Sequence, residues 1–141
     1  MSRQDAGLAL AEWGEPRPFR RGPEAVAGWI VERSSTTAFV YCDDDEMVRA
    51  IEFASPGHGQ PADDEVMFED VDLFIDPADV VIAELSAKGH AITHEENGLT
   101  SMVPDVLLAL WRDGEPRDES TGLPLYFESA LVARPGYYGE R

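Results

Sequence analysis

The sequence predicts an α+β fold, one antiparallel sheet with two helices packed on one face. Three observations carry this prediction: runs of β-branched and aromatic residues recur along the chain, a capped amphipathic helix stands between them, and an Asn-Gly dipeptide joins two of the runs. At 141 residues, 43% hydrophobic and 28% charged, the chain can bury one sizeable core without metal or disulfides. A single domain over residues 1–141 is expected, with an irregular arm at 1–22, a first helix-plus-strands half at 23–75 and a second half at 76–141.

Residues 1–22 mix Gly14, Pro16, Pro18 and Gly22 with charges and show no sustained period, hence the arm, anchored by Trp13 and Phe19. In 23–33, Val26, Trp29, Ile30 and Arg33 fall at i, i+3, i+4 and i+7 behind Pro23, which predicts a short amphipathic helix that Gly28 weakens. Residues 36–42 and 47–54 form a strand, an acidic turn at Asp43, Asp44, Asp45 and Glu46, and a second strand. Pro56, Gly57, Gly59 and Pro61 make 55–65 a loop. Residues 66–75 are expected as a strand, or two short ones meeting at Glu69 and Asp70.

The clearest helix is 77–88. Asp76 can cap it, Pro77 suits its first position, Asp79 favours the first turn, and Gly89 follows Lys88. Ala78, Val81, Ile82 and Leu85 form its apolar stripe. Residues 90–95 and 99–103 flank Asn97-Gly98, the best hairpin signal in the chain. Residues 106–111 suit a central strand covered on both faces, although periodicity alone fits a short buried helix equally; 113–124 suits a charged loop and 125–133 the last strand, before a tail holding Tyr137 and Tyr138. That tail is expected to fold back over a sheet edge.

This order allows a tandem αβββ repeat. Met67, Asp70, Val71 and Leu73 recur as Met102, Asp105, Val106 and Leu108, each 35 residues on. The run before the helix at 71–74, then PDVLLALWR at 104–112 and YFESALVARPGYY at 126–138, resembles a group of small uncharacterised bacterial proteins. Their layout is similar to tandem helix-plus-sheet repeats of the β-lactamase-inhibitor-protein kind. The resemblance covers 66–138 and departs before Pro23, where no repeat signature stands. It implies a fold and no activity.

Charge is the unusual feature: 28 acids against 11 bases leave a net of −17. Phosphate affinity comes mainly from basic contacts, so direct nucleic-acid binding is not expected, and an anionic membrane surface is disfavoured for the same reason. The surplus is local. Residues 43–84 hold fourteen acids and one Arg, a net of −13, whereas residues 1–33 balance five acids against five Arg. A salt-adapted surface would be acidic throughout, so the localisation points to a negative face.

Sites of chemistry are sparse. His90 and His94 lie four apart in a predicted strand, which would separate their side chains by about 13 Å. His58 is remote, and Met47 breaks a calcium-loop pattern starting at Asp43, so no metal or cofactor is expected. No serine has a nucleophile motif. Cys42 is the sole cysteine, and its acidic neighbours disfavour the thiolate. A lone cysteine, no signal-peptide pattern and no long apolar run suit the cytoplasm.

The expectation is a non-catalytic acidic interaction module, inhibitor- or immunity-like. It would bind a basic protein through Asp43, Asp44, Asp45, Glu46, Asp63, Asp64, Glu65, Glu69, Asp70 and Asp72. The alternative is a small-molecule binder or small enzyme with a pocket between helix and sheet lined by Trp29, Phe39, Tyr41, Phe53 or Trp111. Oligomeric state is open.

Overall fold

The computed structural model describes residues 1–20, 26–33, 36–55, 66–95, 98–114 and 116–135. Helix α1 (Arg3–Leu10) leads into four strands, β1 (Arg17–Arg20), β2 (Val26–Arg33), β3 (Thr36–Cys42) and β4 (Val48–Ala54). A small hairpin follows, β5 (Met67–Phe68) and β6 (Val71–Asp72). Helix α2 (Ala78–Ala87) then leads into β7 (Thr93–Glu95), β8 (Thr100–Val103), β9 (Leu108–Arg112) and β10 (Phe127–Ala133). The eight longer-range strands form one sheet in the order β1-β2-β3-β4-β10-β9-β8-β7, antiparallel throughout. Each helix is therefore followed by a four-strand meander, and the last strands of the two meanders pair at the centre.

The fold is mainly sheet, in agreement with an α+β class. The strand, acidic turn and strand across 36–54 stand as expected, and β3 alternates buried and half-buried residues along its whole length. The segment 66–75 holds two short strands meeting at Glu69 and Asp70, which take φ of 48° and 68°. Gly89 and Gly98 take φ of 97° and 93°, so the α2 stop and the β7–β8 hairpin form where glycine permits them.

Three expectations are corrected. Of the supposed helix at 23–33, the described part, Val26–Arg33, is the strand β2, hydrogen-bonded to β1 on one side and β3 on the other. Trp29 and Ile30 thus lie on opposite faces, and the helical spacing of Val26, Trp29, Ile30 and Arg33 is coincidental. Gly28 explains itself in the strand: a Cβ there would stand 1.7 Å from the Val40 carbonyl oxygen, and the Phe19 ring lies across it. The supposed arm at 1–22 contains α1 and β1, with Ser2 accepting from the Asp5 N–H to cap α1. Asp76 does not cap α2, because Pro77 occupies that position and no side chain bonds there.

The matched residues 35 apart also fall on unlike elements. Met67, Asp70 and Val71 belong to the β5–β6 hairpin, whereas Met102 lies in β8 and Asp105 and Val106 in a 3-10 turn before β9.

Two apolar clusters hold the helices. Ala6 and Leu10 of α1 pack with Trp29, Val40, Cys42, Val48 and Ile51. Ala78, Val81 and Leu85 of α2 are fully buried against Phe74, Val103, Leu108, Leu110, Phe127 and Ala130. Ile82, the fourth residue of the expected α2 stripe, packs beside them half-buried. Burying side chains of this size is worth about 1.5–3 kcal/mol each.

Candidate functional site

The acidic turn is built from its own backbone outward. The Asp43 carboxylate accepts from the Asp45 and Met47 N–H groups at 2.9 and 3.0 Å, closing the turn between β3 and β4. It also pairs with Arg134. The Met47 N–H and the Arg134 guanidinium together hold its carboxyl below the usual carboxylate range. Glu46, at φ 63°, pairs with Arg3 at 3.2 Å. Asp44 and Asp45 are exposed, and no side-chain bond joins either to a described residue.

The second acidic group is likewise divided. Asp72 accepts from the Phe74 and Ile75 N–H groups at 3.2 and 2.9 Å and so shapes the chain ahead of α2. Glu69 bonds to His90 Nε2, and Asp105 bonds to His90 Nδ1 at 3.0 Å. Asp70 is exposed at the hairpin tip. Asp63, Asp64 and Glu65 lie outside the described residues, as do His58 and the Tyr137–Tyr138 tail.

Register decides where these groups meet. Tyr41, Ala50 and Ala133 lie in one cross-strand row, and Ala133 N–H donates to the Leu107 carbonyl. The β3–β4 turn and the β8–β9 turn are therefore at the same end of the sheet, with only β10 between β4 and β9, about 10 Å across. Asp43 to Glu46 share that end with Asp105 and, through His90, with Glu69.

His90 is the unforeseen residue. It precedes β7 instead of lying in a strand, its side chain is 10% exposed, and the Phe68 ring stands 5.9 Å away. The two carboxylates approach opposite ring nitrogens, a clamp on an imidazolium and the wrong geometry for sharing one ion. Bonding to Asp105 and then to Glu69 holds its pKa above the ordinary value against the opposing pull of burial. His94 bonds instead to Ser101 Oγ at 3.0 Å across the β7–β8 pair. Among the described residues no three His, Cys, Asp or Glu side chains are gathered to hold a metal ion. Cys42 is buried, and its thiol pKa is pushed up by burial first, with Asp43 and Glu46 adding and Arg3 and Arg49 opposing.

The five aromatics named as a pocket lining do not converge. Trp29 packs with α1, and Phe53 packs against the α2 cluster. By cross-strand register, Phe39, Tyr41 and Trp111 belong to the opposite face of the sheet from Trp29 and Phe53. An open cleft of about 310 Å³ does lie between α1 and the acidic turn, lined by Ser2, Arg3, Gln4, Trp29, Asp45, Glu46 and Met47. Its rim is largely polar and charged.

No family model, curated protein or solved structure matches the chain.

The functional reading therefore rests on residues alone. Sequence reasoning missed Glu52, the residue at the middle of the second face. It accepts from the Tyr41 hydroxyl at 2.7 Å and the Ser129 hydroxyl at 3.3 Å. The signal was present, since alternation in 47–54 sets Glu52 on the face of Ala50 and Ala54, opposite Ile51 and Phe53. What it faced depended on β10, 77 residues away. Among the described residues no helix is long and apolar enough to cross a membrane.

Proposed function

We propose that the chain is a non-catalytic interaction module, inhibitor- or immunity-like, that binds a basic protein through its negative end. One observation carries this: acids separated by more than fifty residues, at 43–46 and 105, share one end of the sheet, with Asp44 and Asp45 exposed. Carboxylates gathered on one side set up a field that steers and selects a cationic partner. Asp43, Glu46, Glu69 and Asp72 serve largely to build the turns that present this end.

Strand parity supports the finer reading of the fold, with α1 and α2 on one face. Val40, Ile51 and Phe53 project to one side, and they touch the α1 and α2 clusters between them. The two helix-plus-meander halves also suit a tandem arrangement, as in the small bacterial proteins that the second half resembles. A cytoplasmic site and the absence of nucleic-acid or membrane partners belong to the same proposal.

The test is a pull-down with the full chain against its own cell extract at about 50 and about 300 mM salt. A basic protein retained at low salt and released at high salt is expected, with weaker capture by the double variant Asp44→Asn/Asp45→Asn. Recovery of no basic protein at low salt overturns the proposal.

A further inference from the structure

His90 joins two carboxylates of the negative end that come from different turns. Its backbone N–H donates to the Leu85 carbonyl at the end of α2, and its ring meets Glu69 of the β5–β6 turn through Nε2 and Asp105 of the β8–β9 turn through Nδ1. Both turns are pinned, since Phe68 and Val106, the chain neighbours of these acids, pack against the α2 cluster. Exposure is uneven: the imidazole side chain is 10% exposed, whereas those of Glu69 and Asp105 are 46% and 56% exposed. A partner therefore reaches the carboxylates from solvent without reaching the ring. Among the other charged and titratable groups on the elements around His90, Asp72 is spent on the Phe74 and Ile75 N–H groups and His94 on Ser101. No described bond joins Asp70, Glu84, Lys88 or Glu95 to the ring.

We infer that binding of the basic partner at the negative end is linked to release of the His90 proton, with Glu69 and Asp105 passing from the imidazolium to lysine or arginine side chains of the partner. An imidazolium donates from both ring nitrogens and so satisfies both acids at once. A neutral imidazole has one N–H. Whichever nitrogen gives up its proton to solvent then turns a lone pair towards a carboxylate, and that acid needs another donor. A guanidinium or ammonium from the partner supplies it, and its positive charge in turn disfavours the imidazolium beside it. Proton and partner thus compete for the same pair of acids, and by linkage each weakens the other by the same factor. The hold on the proton, strengthened first by Asp105 and then by Glu69, places this competition above the ordinary histidine range. The acidic turn lies about 10 Å away across β10, so one basic segment spans Asp44, Asp45 and the freed acids.

This inference rests on the reading of a basic partner at that end. The probe that separates the two is N-acetylated hexa-arginine amide, which has no group titrating between about pH 6 and about pH 9. Titrated calorimetrically into the full chain at about 50 mM salt and about pH 7.5, it is expected to bind and to release a fraction of one proton, read from the difference in heat between HEPES and Tris buffers. His90→Gln is expected to bind it with less than about a third of that release. Wild-type affinity is expected to rise about threefold from about pH 6 to about pH 9, and that of His90→Gln to stay within about 1.5-fold. Should His90→Gln fail to fold, the His90 ring-proton titration, followed by NMR in the wild-type chain, stands in. Saturating peptide is expected to move its midpoint down by about half a pH unit, the same threefold as a logarithm. Equal proton release and an equal pH trend in wild type and His90→Gln, or an unmoved midpoint, overturn this inference and leave the basic-partner reading standing. No binding of the peptide to the wild-type chain at about pH 9 overturns both.

Discussion

His90 shows how much one side chain joins. It follows α2, its Nε2 reaches Glu69 at the β5–β6 tip, and its Nδ1 reaches Asp105 in the turn before β9. Because its folded pKa is raised above the ordinary 6.5, the stabilisation is full below that value and is lost as pH rises through the folded pKa. The expected outcome is a melting-temperature difference between wild type and His90→Gln that is largest near pH 6 and shrinks towards about pH 9. A difference constant over that range refutes the clamp. Loss of the proton also leaves Glu69 and Asp105 uncompensated at the acidic end. None of this was legible in the sequence, because the partners stand 21 and 15 residues away and only the fold brings them to one imidazole. Glu52 was hidden for the same reason, whereas Asp43 to Glu46 were legible as a turn because their bonds are local.

At the scale of elements, local chemistry predicted well where it was itself local. Residues 36–42 form a strand through β-branched and aromatic content, and 77–88 a helix through Pro77, its apolar stripe and Gly89. The segment 23–33 failed because its apolar spacing fits both periods, and pairing with β1 and β3 decided between them. The β5–β6 turn is the reverse case, an element found correctly with unfavourable residues. Glu69 and Asp70 both take positive φ, the conformation that Asn-Gly adopts most easily. Asp70→Gly is therefore expected to raise stability by about 1 kcal/mol in urea unfolding. Asp70 has no described side-chain partner to lose, and destabilisation by the same change would refute the assignment of strain.

At the scale of the molecule, the net charge of −17 makes the compact state repel itself. Raising salt from about 20 to about 500 mM is expected to raise the melting temperature by a few degrees, as screening relieves that repulsion. A fall over the same range would mean that the ion pairs Arg3–Glu46 and Arg134–Asp43 outweigh it. By itself the sequence determined the mixed helix and sheet content, most strand segments, α2, the two turns and the position of the acid surplus. These follow from side-chain periodicity and turn chemistry within a few residues. Only the tertiary structure decided that β4 and β10 meet at the centre, that Glu52 is framed by Phe39 and Tyr41, and that His90 is clamped. A strand's neighbours are chosen by pairing across the whole chain, and its faces acquire different surroundings only once those neighbours are in place.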